Sequence, residues 1–505
     1  MSTPTQTAQT TAAADAAHAA RGGVTQLFGT IAQLLMPVYH VVVARLFGQA
    51  AFGSYQSAMV VVETCTRVGF MGGDRAMHRF IAGHRAAGED ALAQRALGSS
   101  LRVSLSVAGT LAVALALSAG FIARATGKPE LQRMLPIMAA AMMPSAAVFI
   151  LVAATLGAKV TRLHLIVRGF IEPCFLLLAA LTVHAFGGGL LGLAGAHLGA
   201  NLFTLTAASI GASYVFGRRW LLRALRAPMH PRLLGFAIPV AVAELGTVVQ
   251  QKADFFILGF FVSSSELAVY AAAEFLGRIA ANVRYAFDNV AAPVLAEALH
   301  LGDRERLRYN LALMSRWVAT LTLPLAITMI ALRRQALSLY GPGFVTGTSL
   351  VCLWTVTHML NGCLGLSGHV LTMSGRSRIY LTIQLVAASL NVGLSLLLIP
   401  RLGLPGAAIS ALVAVSGPLL ATLLEVWALE HVHPFDRQLA KPVVSAAGAL
   451  LVQLTIGHFL ATGPLAIVTI VIAGLATYVA LLTALRLGRE EREILGRLGQ
   501  RFKRR

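Results

Sequence analysis

Apolar runs bounded by charged residues, Gly or Pro recur along the chain at roughly 24–44, 51–72, 103–123, 134–157, 165–186, 190–216, 233–261, 267–290, 316–339, 346–373, 379–399, 406–430, 442–461 and 465–485. A helix needs about 20 residues to cross a hydrocarbon core of about 30 Å. Lipid offers the backbone no hydrogen-bond partner, so runs of this kind take helical form. The pattern predicts an all-α polytopic membrane protein of about 14 transmembrane helices. Gaps such as Gly187–Gly189 and Gly463–Pro464 are too short to hold an extramembrane domain, which places the activity within the bilayer.

The pattern also repeats. Leu191–Ala196 (LGLAGA) recurs as Leu402–Ala407 (LGLPGA), about 211 residues later. Ala44–Tyr55 aligns with Gly259–Tyr270, and Gly88 and Arg102 align with Gly302 and Arg316 at a similar offset. Matches in the same order at nearly constant spacing predict a duplicated six-helix unit. Six is even, so the copies share one orientation, related by an axis along the membrane normal with the cavity between them. The expected organisation is a disordered cytoplasmic tail (1–22), a first six-helix bundle (23–217), a cytoplasmic linker (218–232), a second bundle (233–430), helices thirteen and fourteen (431–486) and a basic cytoplasmic tail (487–505).

Composition supports this picture: 57% of the 505 residues are hydrophobic, 12% are charged and the mean hydropathy is +0.73. One soluble core cannot absorb so much apolar surface. The 41 Lys and Arg exceed the 21 Asp and Glu by enough to suggest nucleic-acid binding in a soluble chain. Here the excess gathers in alternate loops, at Arg75–Arg102, Lys159–Arg168, Arg218–Arg232 and Arg304–Arg316 and in the C-terminal tail. Positive residues are retained in the cytoplasm, so both termini are expected inside. The tail ending Arg501, Lys503, Arg504 and Arg505 offers no aromatic platform beyond Phe502, and contact with anionic membrane lipids is expected there rather than nucleic acid. Residues 1–20 contain no apolar signal core. Cys65, Cys174, Cys352 and Cys363 show no ligand spacing and read as small hydrophobes. No cofactor or metal is expected.

Several strings point to a known family. Val43–Tyr55 (VARLFGQAAFGSY), Asp254–Phe261 (DFFILGFF) leading to Tyr270, Leu339–Phe344 (LYGPGF) and Ile399–Ala408 (IPRLGLPGAA) resemble the polysaccharide-transporter branch of the multidrug/oligosaccharidyl-lipid/polysaccharide exporter superfamily. The resemblance covers roughly residues 24–430. It implies a flippase that moves oligosaccharide carried on polyprenyl pyrophosphate from inner to outer leaflet by alternating access between two bundles. It also implies service to polysaccharide or O-antigen assembly in a bacterial inner membrane, beside a polymerase and glycosyltransferases. A lipid II flippase of the same superfamily also has fourteen helices, but the Arg-Asp pair of its first helix is missing here, where Arg21 is followed by Gly22 and Gly23.

An ionisable side chain near the bilayer centre costs about 2.5–3.5 kcal/mol on insertion scales, so such groups face a wet cavity or a partner. The seventh predicted helix holds Glu244, Gln250, Gln251, Lys252 and Asp254; the eighth holds Glu274, Arg278, Asn282, Arg284 and Asp288. Glu274 and Arg278, Arg284 and Asp288, and Glu63 and Arg67 of the second helix are each four apart, able to neutralise one another on one face. The alternative reading is that Arg67, Lys252, Arg278 and Arg284 line the cavity and bind pyrophosphate and acidic sugars, for which a guanidinium fork is suited. No GxxxxGK[ST] loop is present, so a cation gradient is the expected energy source, with H⁺ or Na⁺ exchanged at Asp254, Glu274, Glu244 or Glu63. Pro37 and Pro239, each in the first helix of its half, are candidate hinges. His40, His197, His358, His369 and His458 are scattered without metal-ligand spacing.

Two other classes stay open. A cation-coupled multidrug antiporter typically has twelve helices and binds cationic drugs, which a cationic cavity opposes. A membrane glycosyltransferase or polymerase needs a large external loop or an acidic DxD motif, and neither is seen.

Overall fold

The computed structural model describes residues 35–374, 376–460 and 463–485. Both expected tails, and the first part of the run at 24–44, lie outside them. The described chain is helical, with eleven helices long and apolar enough to cross a membrane.

In the first half, α1 (Leu35–Phe47) and α2 (Gln49–Gly69) lead through a turn at Gly72 (φ 61°) into α3 (Gly73–Ala86). Then follow α4 (Asp90–Thr126), α5 (Leu131–Gly157), α6 (Arg162–Ala185) and α7 (Leu190–Phe216). A short basic helix, α8 (Arg218–Arg226), precedes the second half: α9 (Leu233–Phe261), α10 (Ser264–Arg278), α11 (Asn282–His300), α12 (Arg304–Ala331), α13 (Arg333–Tyr340), α14 (Thr348–Leu364), α15 (Ser367–Met373), α16 (Ser377–Leu402) and α17 (Leu404–Glu430). Last come α18 (Ala440–Phe459) and α19 (Pro464–Ala484), which pack on each other and on α12. They are anchored by Gln453, whose amide donates to Thr328 Oγ1 (2.9 Å), and by the Tyr478 hydroxyl, which donates to the Thr320 carbonyl (2.9 Å).

Four expected spans depart from simple apolar helices. The first is described from Leu35 only. The second, α2, carries Glu63 and Arg67 and is too polar to qualify by hydropathy. The eighth is broken by a 3₁₀ turn at Ile279–Ala281 into α10 and α11, each carrying charged pairs. The run at 346–373 likewise divides into α14 and α15. The polar pair α2 and α10 packs together in the middle of the molecule, while the apolar helices surround it. This placement follows from the cost of charge in lipid.

The halves meet where α2 and α10 begin. A Cβ on Gly53 would fall on the Ser264 carbonyl oxygen, so only glycine permits the approach. The two halves share one spacing: Tyr55 and Tyr39, sixteen apart, share a hydrogen bond of 2.8 Å, and Tyr270 donates to Asp254, also sixteen apart. Replacing Gly53 with Leu should force the two helices apart and cost about 1–3 kcal/mol. Thermal unfolding of the purified protein checks this, with a Gly83→Leu variant, at a position with open space around it, as the unaffected comparison.

Candidate functional site

The charged residues of α2, α9 and α10 converge between the halves. Lys252 Nζ lies 3.1 Å from Glu274 Oε1 and 3.4 Å from Oε2, and Arg278 donates to the same Oε1. Glu274 is 8% exposed and is shared by two cations, so the expected pairing of Glu274 with Arg278 alone becomes a triad. Across from it, Arg67 bonds Glu63 at 3.0 Å. Glu63 feels the charges of Lys252 and Arg278 as well as Arg67, which brings the two halves into one electrostatic site. Glu63 and Arg278 flank the space between the halves, with 46% and 40% of their side-chain surface exposed. Three cations and two carboxylates form this cluster, and a third carboxylate, Asp254, lies within electrostatic range of Lys252 and Glu274.

Aromatic and imidazole groups wall the space. His40 of α1 stacks on Phe275 of α10 at 4.0 Å, and His358 of α14 stacks on Trp354 at 5.4 Å. The sequence pattern left these two histidines scattered. The structure places both within electrostatic range of Glu274, Lys252 and Arg278.

Other candidate residues lie elsewhere. Arg284, beyond the 3₁₀ break, is 3.7 Å from Asp288, which also meets His369 Nε2 at 3.0 Å; this forms a separate group between α11 and α15. Asp254 is buried and bonded to Tyr270, with Oδ1 unpartnered, and it feels the charges of Glu274 and Lys252. Glu244 of α9 pairs with Arg75 of α3, joining the halves at the linker end of the molecule. Pro239 sits inside α9 and Pro37 in the first turn of the described α1.

Sequence reasoning passed over one pair. Arg168 counted as a loop residue, but it lies in a π-helical segment of α6 (Leu165–Ile171), bonded to Glu172 at 2.6 Å and stacked over Phe149 at 3.9 Å. Glu172 lies within electrostatic range of Glu63. The i,i+4 spacing just before Pro173 was the available signal, and π-bulges often mark functional sites.

At the end opposite the linker, the halves are latched. Arg45 donates to the Leu339 and Ser338 carbonyls (2.6 and 2.5 Å), Gln49 to Ser265 O (3.0 Å) and Lys128 to Gly259 O (2.5 Å). Glu130, in the α4–α5 connection, accepts from Ser54 (2.5 Å) and Ser264 (3.0 Å), one serine from each half. The halves are therefore joined at this end, and at the linker end Arg75 and Glu244 reach across.

This is the architecture of a membrane transporter of the flippase and exporter type. Residues 42–342 match the family described as "Polysaccharide biosynthesis protein". The chain belongs to that family, in the polysaccharide-transporter branch of the multidrug/oligosaccharidyl-lipid/polysaccharide exporter superfamily. No curated protein matches it. Among solved structures, it resembles the lipid II flippase MurJ in an inward closed conformation (TM-score 0.71, 12% identity, 92% of this chain and 98% of that one). It also resembles an inward-facing multidrug resistance MATE transporter (0.64, 14%, 81% and 98%) and a Pyrococcus furiosus superfamily member whose binding pocket is described as reversed in polarity (0.59, 14%, 83% and 96%).

Burial works to raise the Glu130 carboxyl, but the bonds from Ser54, its own backbone N–H and Ser264, with the charge of Lys128, outweigh it and hold the group below the ordinary 4.5. A depressed carboxylate stabilises the latch fully above 4.5 and loses that contribution as pH falls through the lower folded value. Spin-label distances across the Ser54–Ser264 contact should thus stay short at pH 7 and lengthen only below about pH 4.5, whereas Glu130→Ala should lengthen them already at pH 7.

Proposed function

We propose that this protein flips polyprenyl-pyrophosphate-linked oligosaccharide from the inner to the outer leaflet, for polysaccharide or O-antigen assembly in a bacterial inner membrane. The observation that carries the reading is the gathering of Arg67, Lys252 and Arg278 between two helical halves, with Arg67 and Arg278 partly exposed. A pyrophosphate needs compensating charge where the bilayer offers none, and guanidinium groups bond its oxygens in pairs. The polyprenyl tail stays in lipid while the head passes through the polar space. The family description, polysaccharide biosynthesis, agrees with that chemistry.

The basic linker end, with Arg79, Arg85, Arg95, Arg218, Arg219 and Arg232, is assigned to the cytoplasm by the retention of positive charge. The latched end then faces outward, and the resting state awaits substrate from inside. In this mechanism the anionic head competes with Glu274 and Glu63 for their cations. The freed carboxylates take up H⁺ or Na⁺, which couples transport to a gradient. Asp254 and Glu244 are the remaining candidates for that exchange.

A second reading, lipid II flipping, is favoured by the similarity to MurJ over 92% of this chain. Both cargoes present a pyrophosphate-linked sugar on a polyprenyl tail, so the same cations serve either one. A cation-drug antiporter fits a space flanked by Arg67, Lys252 and Arg278 poorly.

Reconstituted vesicles loaded with fluorescent lipid-linked oligosaccharide, and separately with fluorescent lipid II, test the proposal by outer-leaflet exposure. The first cargo should move faster than in empty vesicles; no acceleration rejects the reading, and movement of lipid II alone selects the second. Arg278→Ala and Lys252→Ala should each slow flipping about tenfold, the equivalent of about 1.4 kcal/mol, without loss of thermal stability.

A further inference from the structure

A second polar site lies outside the central space, at the linker end. There the last turns of α3 meet the first turn of α9, and a cavity of about 340 Å³ is bounded by Arg79, Phe80, His84, Arg232 and Phe236. Its volume falls within the ordinary range for small-ligand pockets. Neither Arg79 nor Arg232 pairs with a carboxylate among the described residues, and Arg95 adds to the positive field at His230.

The pocket is organised rather than merely charged. The Arg79 guanidinium rests over the Phe236 ring at 5.1 Å and the Phe80 ring at 5.9 Å, which limits its motion while leaving its N–H fork free. Behind it a chain of hydrogen bonds fixes the imidazoles. The Arg232 backbone N–H donates to His230 Nδ1 (3.3 Å), so the His230 proton is on Nε2, which donates to His84 Nε2 (3.0 Å). His84 Nδ1–H in turn donates to Glu89 (2.7 Å). Burial pushes the His230 imidazole below its usual range, helped by His84, Arg232 and Arg95, so the neutral form this chain requires prevails at pH 7. Glu89 is thereby engaged and turned to His84, and no carboxylate is among the described residues that line the pocket. The pocket thus presents two guanidinium groups and no free acceptor of equal charge.

We propose that this pocket binds a phosphate group, carried either by an inner-leaflet phospholipid or by a soluble phosphorylated compound. A tetrahedral phosphate takes paired N–H donors from a guanidinium fork, and 340 Å³ leaves room for a glyceryl or sugar substituent. The position gives occupancy a consequence. Arg79 lies one turn beyond Arg75 on α3, and Arg232 and Phe236 lie two to three turns before Glu244 on α9. A phosphate held between Arg79 and Arg232 therefore ties together the two elements already joined by the Arg75–Glu244 pair, and it favours the state in which the linker end is closed. The site is independent of the cargo assigned to the central space.

The test uses the full chain. In one arm, inorganic phosphate is titrated into detergent-purified protein and followed by calorimetry. In the other, nanodiscs of phosphatidylglycerol or phosphatidylcholine are compared by native mass spectrometry for retained lipid. Saturable binding is expected in at least one arm, weakened tenfold or more in Arg79→Gln/Arg232→Gln and unchanged in Arg218→Gln/Arg219→Gln on the neighbouring α8. Binding of phosphatidylglycerol alone identifies a lipid source, and binding of inorganic phosphate alone a soluble one. Arg232→Gln by itself, which touches neither ring, should weaken binding in the same direction and serves if the double variant is unstable. The proposal falls if neither arm saturates, if the pocket variants bind like the parent, or if the α8 variant weakens binding as much as they do.

Discussion

Charge in a low-dielectric interior has to be paired or wetted, and that constraint organises the centre of this molecule. The helices α2 and α10 carry Glu63, Arg67, Glu274 and Arg278. Neither helix can face lipid on all sides, so each turns its charged stripe toward the other. The apolar helices close around them because lipid is the environment those helices suit. The position of the site, between the halves, is thus a consequence of where the charges are tolerated. Glu274, shared by Lys252 and Arg278, is the most confined member; Arg67 and Arg278 remain open to solvent and available to an anion.

The two ends of the α2–α10 seam differ in kind. At the Glu130 end, Gly53 permits close backbone approach, and Arg45, Gln49 and Lys128 donate across the seam to main-chain carbonyls, which fix a defined geometry. At the linker end, Arg75 pairs with Glu244, His84 Nε2 meets His230 Nε2 at 3.0 Å and Arg79 rests over the Phe236 ring. Of the ion pair, Arg75 is more than half exposed and Glu244 mostly buried, so water reaches it from one side only.

Duplication with local divergence explains the chemical asymmetry of the halves. Tyr39 and Asp254 occupy corresponding places, each bonded to a tyrosine sixteen residues later. A hydroxyl in the first half stands where a carboxyl stands in the second, so the same helical scaffold presents an ionisable group on one side only. Any ion-dependent step built on this position belongs to the second half for that reason.

The helices, the duplication and the i,i+4 pairs were legible in the chain because they are local: apolar run length, recurrence of Leu-Gly-Leu motifs, and the helical pitch that puts Glu274 beside Arg278 and Glu63 beside Arg67. Arg168 and Glu172 obeyed the same spacing and were legible too, but lay beside a cluster of loop cations. What the sequence alone did not contain was the rotation and tilt of each helix about its neighbours. Those choices made Lys252 a second partner for Glu274, set Arg75 against Glu244, sent Asp254 into the core with Tyr270, and separated Arg284 from the central group. They also gathered His40 and His358 from distant helices. Such contacts join residues tens to hundreds of positions apart, and only the packing of side chains across the whole bundle selects among the many arrangements that an apolar helix pattern permits.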